Sequence, residues 1–325
     1  MVNPNISVII PTYNYAIYIS FAIDSILKQD YPKDKIEIIV VDDGSTDNTI
    51  EVLEKYISNG LIKYYYQINK GKAEATYNAI QKTTGKYIFN LDADDIFLPD
   101  KIKKVVDIFE IDSTIVHVGN PASRIYGNEN KLNVYEIFPD LILNKLLEGQ
   151  WLLRYFLENN ILFGGGSTYA GNGEILRNIK IPSNVDMYID EFLIYAILPY
   201  GKSYFTNESL SVWRDHGFNY SAGQNSLEKK RNKSRRILAS AFGMLSYLEL
   251  NNFNPKFIDI YRLKYEVLKI STKESFKEKS IHDIFYFLVF LSNTKLSLSV
   301  LKRYHTFNRL IPMSIYLFLK RNKHS

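Results

Sequence analysis

The sequence contains no cysteine, which excludes disulfides and thiolate metal sites and fits a reducing compartment. No apolar run reaches the roughly 18 residues that suggest a membrane span. Met1 to Asn5 carries no basic region, and Pro11 stops the apolar Val8-Ile9-Ile10, so no secretory leader is expected and the chain is placed in the cytoplasm. No Gly-x-Gly-x-x-Gly follows the first apolar run and no Gly-Lys-Ser/Thr loop occurs. Neither a dinucleotide-binding nor a P-loop reading is therefore supported.

What is present is a 46% hydrophobic chain of 325 residues, enough for one large or two modest domains. Its net charge of +5 hides an asymmetry: residues 1–225 hold 20 Lys/Arg against 28 Asp/Glu, and residues 226–325 hold 20 against 7. This divides the chain into an acidic working part, 1–225, and a basic anchoring part, 226–325.

Short apolar runs alternate with helical spacing over the first hundred residues. Ser7 to Ile10 reads as a buried strand that stops at Pro11 and becomes a loop. A helix over Tyr18–Gln29 follows, then a strand over Ile36–Val41, a helix over Thr49–Ser58 and a strand over Leu61–Tyr66. A helix over Glu74–Thr83 and a strand over Tyr87–Leu91 complete the pattern. Such alternation predicts an α/β fold, a mostly parallel sheet with helices on both faces. Tyr13-Asn14, Asp42-Asp43 and Asp92-Ala93-Asp94-Asp95 each follow a strand end, so parallel neighbours bring them to one sheet edge, where ligands bind. The last cluster suits a hard cation, Mn²⁺ or Mg²⁺. An acidic turn capping the next helix is the competing reading.

These motifs resemble the family 2 glycosyltransferases. The match is carried by Ser7-Val8-Ile9-Ile10-Pro11-Thr12-Tyr13-Asn14, Val41-Asp42-Asp43-Gly44-Ser45-Thr46-Asp47, Asn69-x-Gly71, and Gly85-Lys86-Tyr87 with Asp92-x-Asp94-Asp95 and Pro99. The resemblance implies a GT-A fold, a nucleotide-diphosphate sugar donor (a UDP-sugar foremost), a divalent metal and inversion at the anomeric carbon. Pro11, Tyr13, Asn14 and Asp43 then belong to the donor site, with Tyr13 and Asp43 at the nucleobase. Asp92 falls near the ribose, Ala93 belongs with it to the donor site, Asp94 matches the metal ligand, and Asp95 lies close to the sugar or acceptor. Tyr77 stands where the family often has Arg before the residue matching Asn78, and Lys72 is either a compensating donor-binding charge or a solvated surface lysine.

The segment 106–225 is the acceptor half on this reading. Strands are expected over Thr114–Val118 and Thr168–Ala170, a helix over Trp151–Leu157 and a hairpin-like loop at Asn128–Lys131. Gly164-Gly165-Gly166-Ser167 either borders the sugar pocket or forms a flexible turn. An inverting transfer needs a carboxylate to take the acceptor's proton. The resemblance puts Asp190 on that position, with Glu191 as rival; both acids also suit a helix N-terminus. Trp213-Arg214-Asp215-His216 resembles a later family motif, in which the imidazole completes the metal shell or touches the diphosphate; a surface histidine is the alternative.

Helical spacing recurs over Arg236–Leu250, Phe257–Ile270, Ile281–Leu291, Leu296–Tyr304 and Leu310–Leu319. The aromatic stretch Ile284–Leu291 and the basic cluster Lys320-Arg321-Asn322-Lys323-His324 suit an anionic membrane surface, peripherally at its inner face. An ordinary helical subdomain is the alternative, and a homo-oligomer stays open. No nucleic-acid motif accompanies the basic residues, so nucleic acid is not an expected partner. The expected activity is sugar transfer to a glycan or lipid-linked acceptor, in bacterial surface polysaccharide synthesis. The alternatives are a nucleotidyltransferase and a non-catalytic carbohydrate-binding or scaffold protein.

Overall fold

The computed structural model describes residues 3–126, 132–134, 136–216, 227–271 and 281–304. The first part alternates as expected: β1 (Ile6–Thr12), α1 (Ile19–Leu27), β2 (Ile36–Asp42), α2 (Thr49–Ser58), β3 (Lys63–Tyr66), α3 (Lys72–Gln81) and β4 (Tyr87–Asn90). Then come β5 (Ile96–Phe97), α4 (Lys101–Phe109), β6 (Ile115–Gly119), β7 (Ala122–Tyr126), β8 (Asn133–Val134), β9 (Leu146–Glu148) and α5 (Gly149–Asn159). β10 (Tyr169–Asn172), α6 (Gly173–Asn178), α7 (Ile189–Ile197), β11 (Lys202–Phe205) and β12 (Ser211–Asp215) follow. The remaining elements are helical: α8 (Leu227–Leu250), α9 (Pro255–Ser271), α10 (Ile281–Asn293) and α11 (Leu298–Arg303).

An 8-stranded sheet has the order β3-β2-β1-β4-β10-β6-β11-β9. β3, β2, β1 and β4 are parallel, and β10 inserts antiparallel between β4 and β6. The alternation along the strands feeds both faces. Val8, Ile10, Val40 and Phe89 join Ile19, Ile23, Leu53 and Val105 in one buried cluster with α1, α2 and α4. The intervening residues Ile9 and Ile39 are buried too, and α3 packs against β1 and β2. A second, 4-stranded sheet has the order β5-β12-β7-β8.

β1 does not stop at Pro11; it continues to Thr12, with Pro11 opposite Val41 of β2. The register gives the reason. The Ile9 carbonyl accepts from Leu91 N, so Ile9 and Pro11 both direct their backbone polar groups to the β4 side. Pairing with β4 ends at Ile9, so the missing proline N–H costs no ladder bond. Expected bounds also moved at α8. Its first turns are basic rather than apolar, so apolar spacing alone finds only the later part. The expected loop at 128–131, the helix at 310–319 and the cluster at 320–324 lie outside the described residues.

Contacts divide the chain into two compact units, Met1–Leu153 with Leu162–Ile181 and Tyr188–Gly223, and Arg154–Ile161 with Pro182–Met187 and Gln224–Ser325. Both sheets belong to the first. In the second, α8 and α9 are the main helical pair, with Met244, Leu248, Ile260 and Leu263 buried. Polar contacts tie the short segments into it: Arg236 pairs with Asp186, Ser240 Oγ accepts from Asp186 N and Met187 N, and Lys256 Nζ lies 2.7 Å from Glu158.

Candidate active site

The strand register aligns three chain reversals. Thr12 pairs with Asp42, Asp43 N donates to the Thr12 carbonyl, and Leu91 N donates to the Ile9 carbonyl. The loops after β1, β2 and β4 therefore open on one edge of the parallel strands. Asn14, with φ 58°, clamps the first two: its Oδ1 accepts from Thr46 N at 2.7 Å, and its own N–H donates to Ser45 Oγ at 2.9 Å. Tyr13 beside it is 43% exposed, whereas Pro11 is buried within the strand.

Asp43 is buried and draws the next loop toward it. Its carboxylate accepts from Gln67 Nε2, Lys70 N and Gly71 N, each at 2.8 Å. Asn78 Nδ2 in turn donates to Gln67 Oε1 at 2.7 Å. This places Gly71 (φ 94°) as the cap of α3 and makes Lys72 its first residue. Helix α3 starts at Lys72, two residues before the expected Glu74, with Gly71 at its N-cap in a positive-φ conformation that glycine adopts readily.

Lys72 is not a solvated surface lysine. Its Nζ lies 2.8 Å from Asp92 Oδ2 and 3.7 Å from Asp190 Oδ2. Burial works against its charge, but Asp190 and Asp92 more than offset that and raise its pKa well above the ordinary lysine value. Asp190 sits in the first turn of α7, which follows Tyr188 in a left-handed conformation (φ 60°). A tyrosine there costs about 1–2 kcal/mol, and such strain concentrates at functional sites. Burial raises the Asp190 pKa and Lys72 lowers it, with Asp92 adding to the rise; the net direction is up. Asp190 Oδ1 is buried without a hydrogen-bond partner. Glu191, the rival, acts on the Tyr188 phenol, whose pKa rises through burial and that carboxylate.

The glycine run is a close approach and not a loose turn. A Cβ on Gly166 (φ +52°) would sit 2.9 Å from Asp92 Oδ2 and 4.0 Å from Asp190 Oδ2. The positive φ favours glycine there, and a side chain would crowd the Asp92 carboxylate. Ala93 is buried and offers only its backbone. Asp95 is buried with both oxygens engaged: Oδ2 accepts from Ser167 Oγ at 2.6 Å and Oδ1 from Arg214 N at 3.2 Å. Burial, then Asp94 and Asp92, push its pKa well above the ordinary carboxylate range.

Asp94 meets His216 at 3.1 Å, Oδ2 to Nε2. His216 is 8% exposed, so it is not a surface histidine. Tyr18 stacks on its ring with centroids 4.4 Å apart, and Tyr15 meets it edge-on at 6.1 Å. Burial and the Asp92 charge raise the Asp94 pKa. Two ligands on adjacent corners of an octahedral cation with bonds of about 2.1 Å lie about 3 Å apart, so the pair fits one edge of a Mg²⁺ or Mn²⁺ shell. Among the described residues no group of three or more His, Asp or Glu forms a ready cage. Hard cations commonly take one or two protein ligands and complete the shell with substrate phosphates and water.

Sequence reasoning missed Lys101, which meets Ser167 behind the turn, and Tyr18 as the support of His216; it marks Ser167 only as the end of a glycine run. The others carry no local signal, because their partners are distant in sequence.

The family model for Glycosyl transferase family 2 matches residues 7–178. An uncharacterized glycosyltransferase of Nostoc sp. is 33% identical over 218 residues, which is 66% of this chain and 66% of the relative. One of Mycoplasma genitalium is 42% identical over 132 residues, 38% of this chain and 41% of the relative. The chain thus spans about two fifths to just under two thirds of these relatives' lengths. Among solved structures, S. aureus TarS 1-349 in complex with UDP-GlcNAc has a TM-score of 0.62 at 19% identity, covering 92% of this chain and 82% of that one. Mannosyltransferase PcManGT from Pyrobaculum calidifontis, in complex with GDP-Man and Mn2+, has a TM-score of 0.56 at 19% identity, covering 97% and 87%. At such identities the likeness shows the fold alone, that of GT-A enzymes. With its motifs in family order on the ends of β1, β2 and β4, and a family match over 7–178, the chain belongs to glycosyl transferase family 2.

Proposed function

We propose that the chain is an inverting, metal-dependent glycosyltransferase that moves a sugar from a nucleotide-diphosphate sugar to a hydroxyl of a glycan or lipid-linked acceptor. The observation that supports this best is the meeting of Asp92, Lys72 and Asp190 around Gly166: a charged donor-side acid, a cation and a buried carboxylate with one unpartnered oxygen. Tyr13 and the Asp43 loop receive the nucleoside and Asp92 the ribose side. Asp94 and His216 would hold a divalent cation, which neutralises charge on the leaving diphosphate. Lys72 faces the same region and adds a second positive charge there. The acceptor hydroxyl gives its proton to Asp190 as its oxygen bonds to the anomeric carbon. The bond from that carbon to the diphosphate breaks on the opposite face, and the diphosphate leaves with the bonding pair. A positioned base of this kind contributes about 10²–10⁴-fold. Asp95, held by Ser167 and Arg214, supports the turn from behind.

On this reading 1–225 carries transfer and 226–325 serves attachment, peripherally on the cytoplasmic face of a membrane. Support for the second part is α10, where Phe285 and Tyr286 are 60% and 67% exposed and Leu288 and Val289 are also open, within a region of strong positive balance. No helix among the described residues is long and apolar enough to cross a membrane. The donor reading is tested by incubating the protein with UDP- and GDP-sugars and Mn²⁺. Slow hydrolysis of one donor, lost on chelation and in Asp94→Ala, is expected; pyrophosphate release from a nucleoside triphosphate instead would point to a nucleotidyltransferase.

A further inference from the structure

Lys101, the first residue of α4, is 0% exposed. An ammonium withdrawn from water is costly unless it is fully paired. Here three oxygens receive it: Asn120 Oδ1 at 3.0 Å, the Ser167 carbonyl at 2.6 Å and Ser211 Oγ at 2.7 Å. Three acceptors match the three donors of a protonated lysine, whereas a neutral amine would turn a lone pair toward one of them. The Phe97 ring closes the remaining side, with its centroid 4.3 Å from Nζ.

Ser167 is the second node. Its carbonyl accepts from Lys101 and from Ser211 Oγ, the latter at 2.7 Å. Its hydroxyl donates to Asp95 Oδ2 at 2.6 Å and accepts from Asp92 N at 2.9 Å. One residue thus joins the acidic turn, α4 and β12. Its chain neighbour is Gly166, which passes between the Asp92 and Asp190 carboxylates.

We propose that Lys101 and Ser167 are positioning residues that fix the separation between the donor-binding acids of the turn and Asp190. Neither touches the reacting atoms. Lys101 anchors the Ser167 carbonyl, Ser167 anchors the backbone of Asp92 and the carboxylate of Asp95, and Gly166 is held between the two halves of the site. A position that needed only packing would be served by methionine, with no buried charge to satisfy. The inference rests on the proposed transferase reading.

The test uses the full chain and the probes UDP and GDP, each with Mn²⁺, followed by calorimetry alongside thermal melting. Ser167→Ala removes the hydroxyl but keeps the carbonyl that Lys101 and Ser211 use. Its nucleotide Kd and half-saturating Mn²⁺ are expected to rise about tenfold, as for loss of a hydrogen bond to a charged group, with the melting midpoint little changed. Lys101→Met is expected to move both in the same direction, and Lys103→Met, on the exposed side of the same helix, neither. A loss of structure alone would shrink the binding-competent fraction and leave the affinity of the remainder unchanged. Folded Ser167→Ala with wild-type affinities would overturn the positioning role while the transferase reading stood. A wild type that binds neither nucleotide with Mn²⁺ would overturn both.

Discussion

At the residue scale the site is a problem in charge. Asp92, Asp94, Asp95 and Asp190 converge with Lys72 on the surface side and Lys101 behind. Burial pulls the Lys101 pKa well below the ordinary lysine value, Asp95 opposes this, and the three acceptors hold the proton in place. Asp94, Asp95 and Asp190 shift upward, through burial first and neighbouring carboxylates second, and Lys72 shifts upward because Asp190 and Asp92 outweigh the effect of its burial. A separate carboxylate offers a cleaner titration. Glu136 has a buried Oε2 without a hydrogen-bond partner, and burial lifts its pKa to about 7. A raised acid pKa means that the folded chain binds the proton more tightly than the unfolded one. Stability should therefore fall as pH rises from the unfolded value of 4.5 to about 7, and the full cost, on the order of 3 kcal/mol, persists above that. Glu136→Gln should flatten this slope and melt higher than wild type at pH 8; equal melting curves at pH 8 would contradict it.

At the element scale, short-range pattern and long-range pairing contributed differently. The alternation from β1 to β4 was legible because each element declares its own period, and the acidic turn was legible because it lies at a strand end. The antiparallel insertion of β10 between β4 and β6, and the pairing of β5 with β12, were not, since neither is a local property. The same distance hid Lys101, whose partners lie 19, 66 and 110 positions away. It also hid Lys72, where one sequence shows a lysine in a loop and only the approach of Asp92 and Asp190 shows its use. Helix α10 carries the prediction for the second unit. Phe285 and Val289 are one turn apart and both exposed. The double change Phe285→Ser and Val289→Ser in the full chain should lower co-flotation with anionic liposomes and leave donor hydrolysis unchanged. Undiminished flotation would remove the membrane reading of α10.

At the scale of the whole molecule the acidic 1–225 and basic 226–325 halves follow different physics. The first gathers negative charge at the strand ends, and the second carries a strong positive balance. Family membership accounts for the sheet, the donor edge and the acidic turn. The proposed proton acceptor starts from the resemblance, and this chain's geometry supports it, since Asp190 faces Lys72 with one oxygen unpartnered. The most direct measurement compares Asp190→Asn and Glu191→Gln for Mn²⁺-dependent turnover of the nucleotide sugar that wild type uses, and for UDP or GDP binding. Asp190→Asn should lose at least about 10²-fold in turnover while binding the nucleotide as wild type does, and Glu191→Gln should stay near wild type. Retained turnover in Asp190→Asn, with loss in Glu191→Gln, would contradict the assignment of Asp190 as the base.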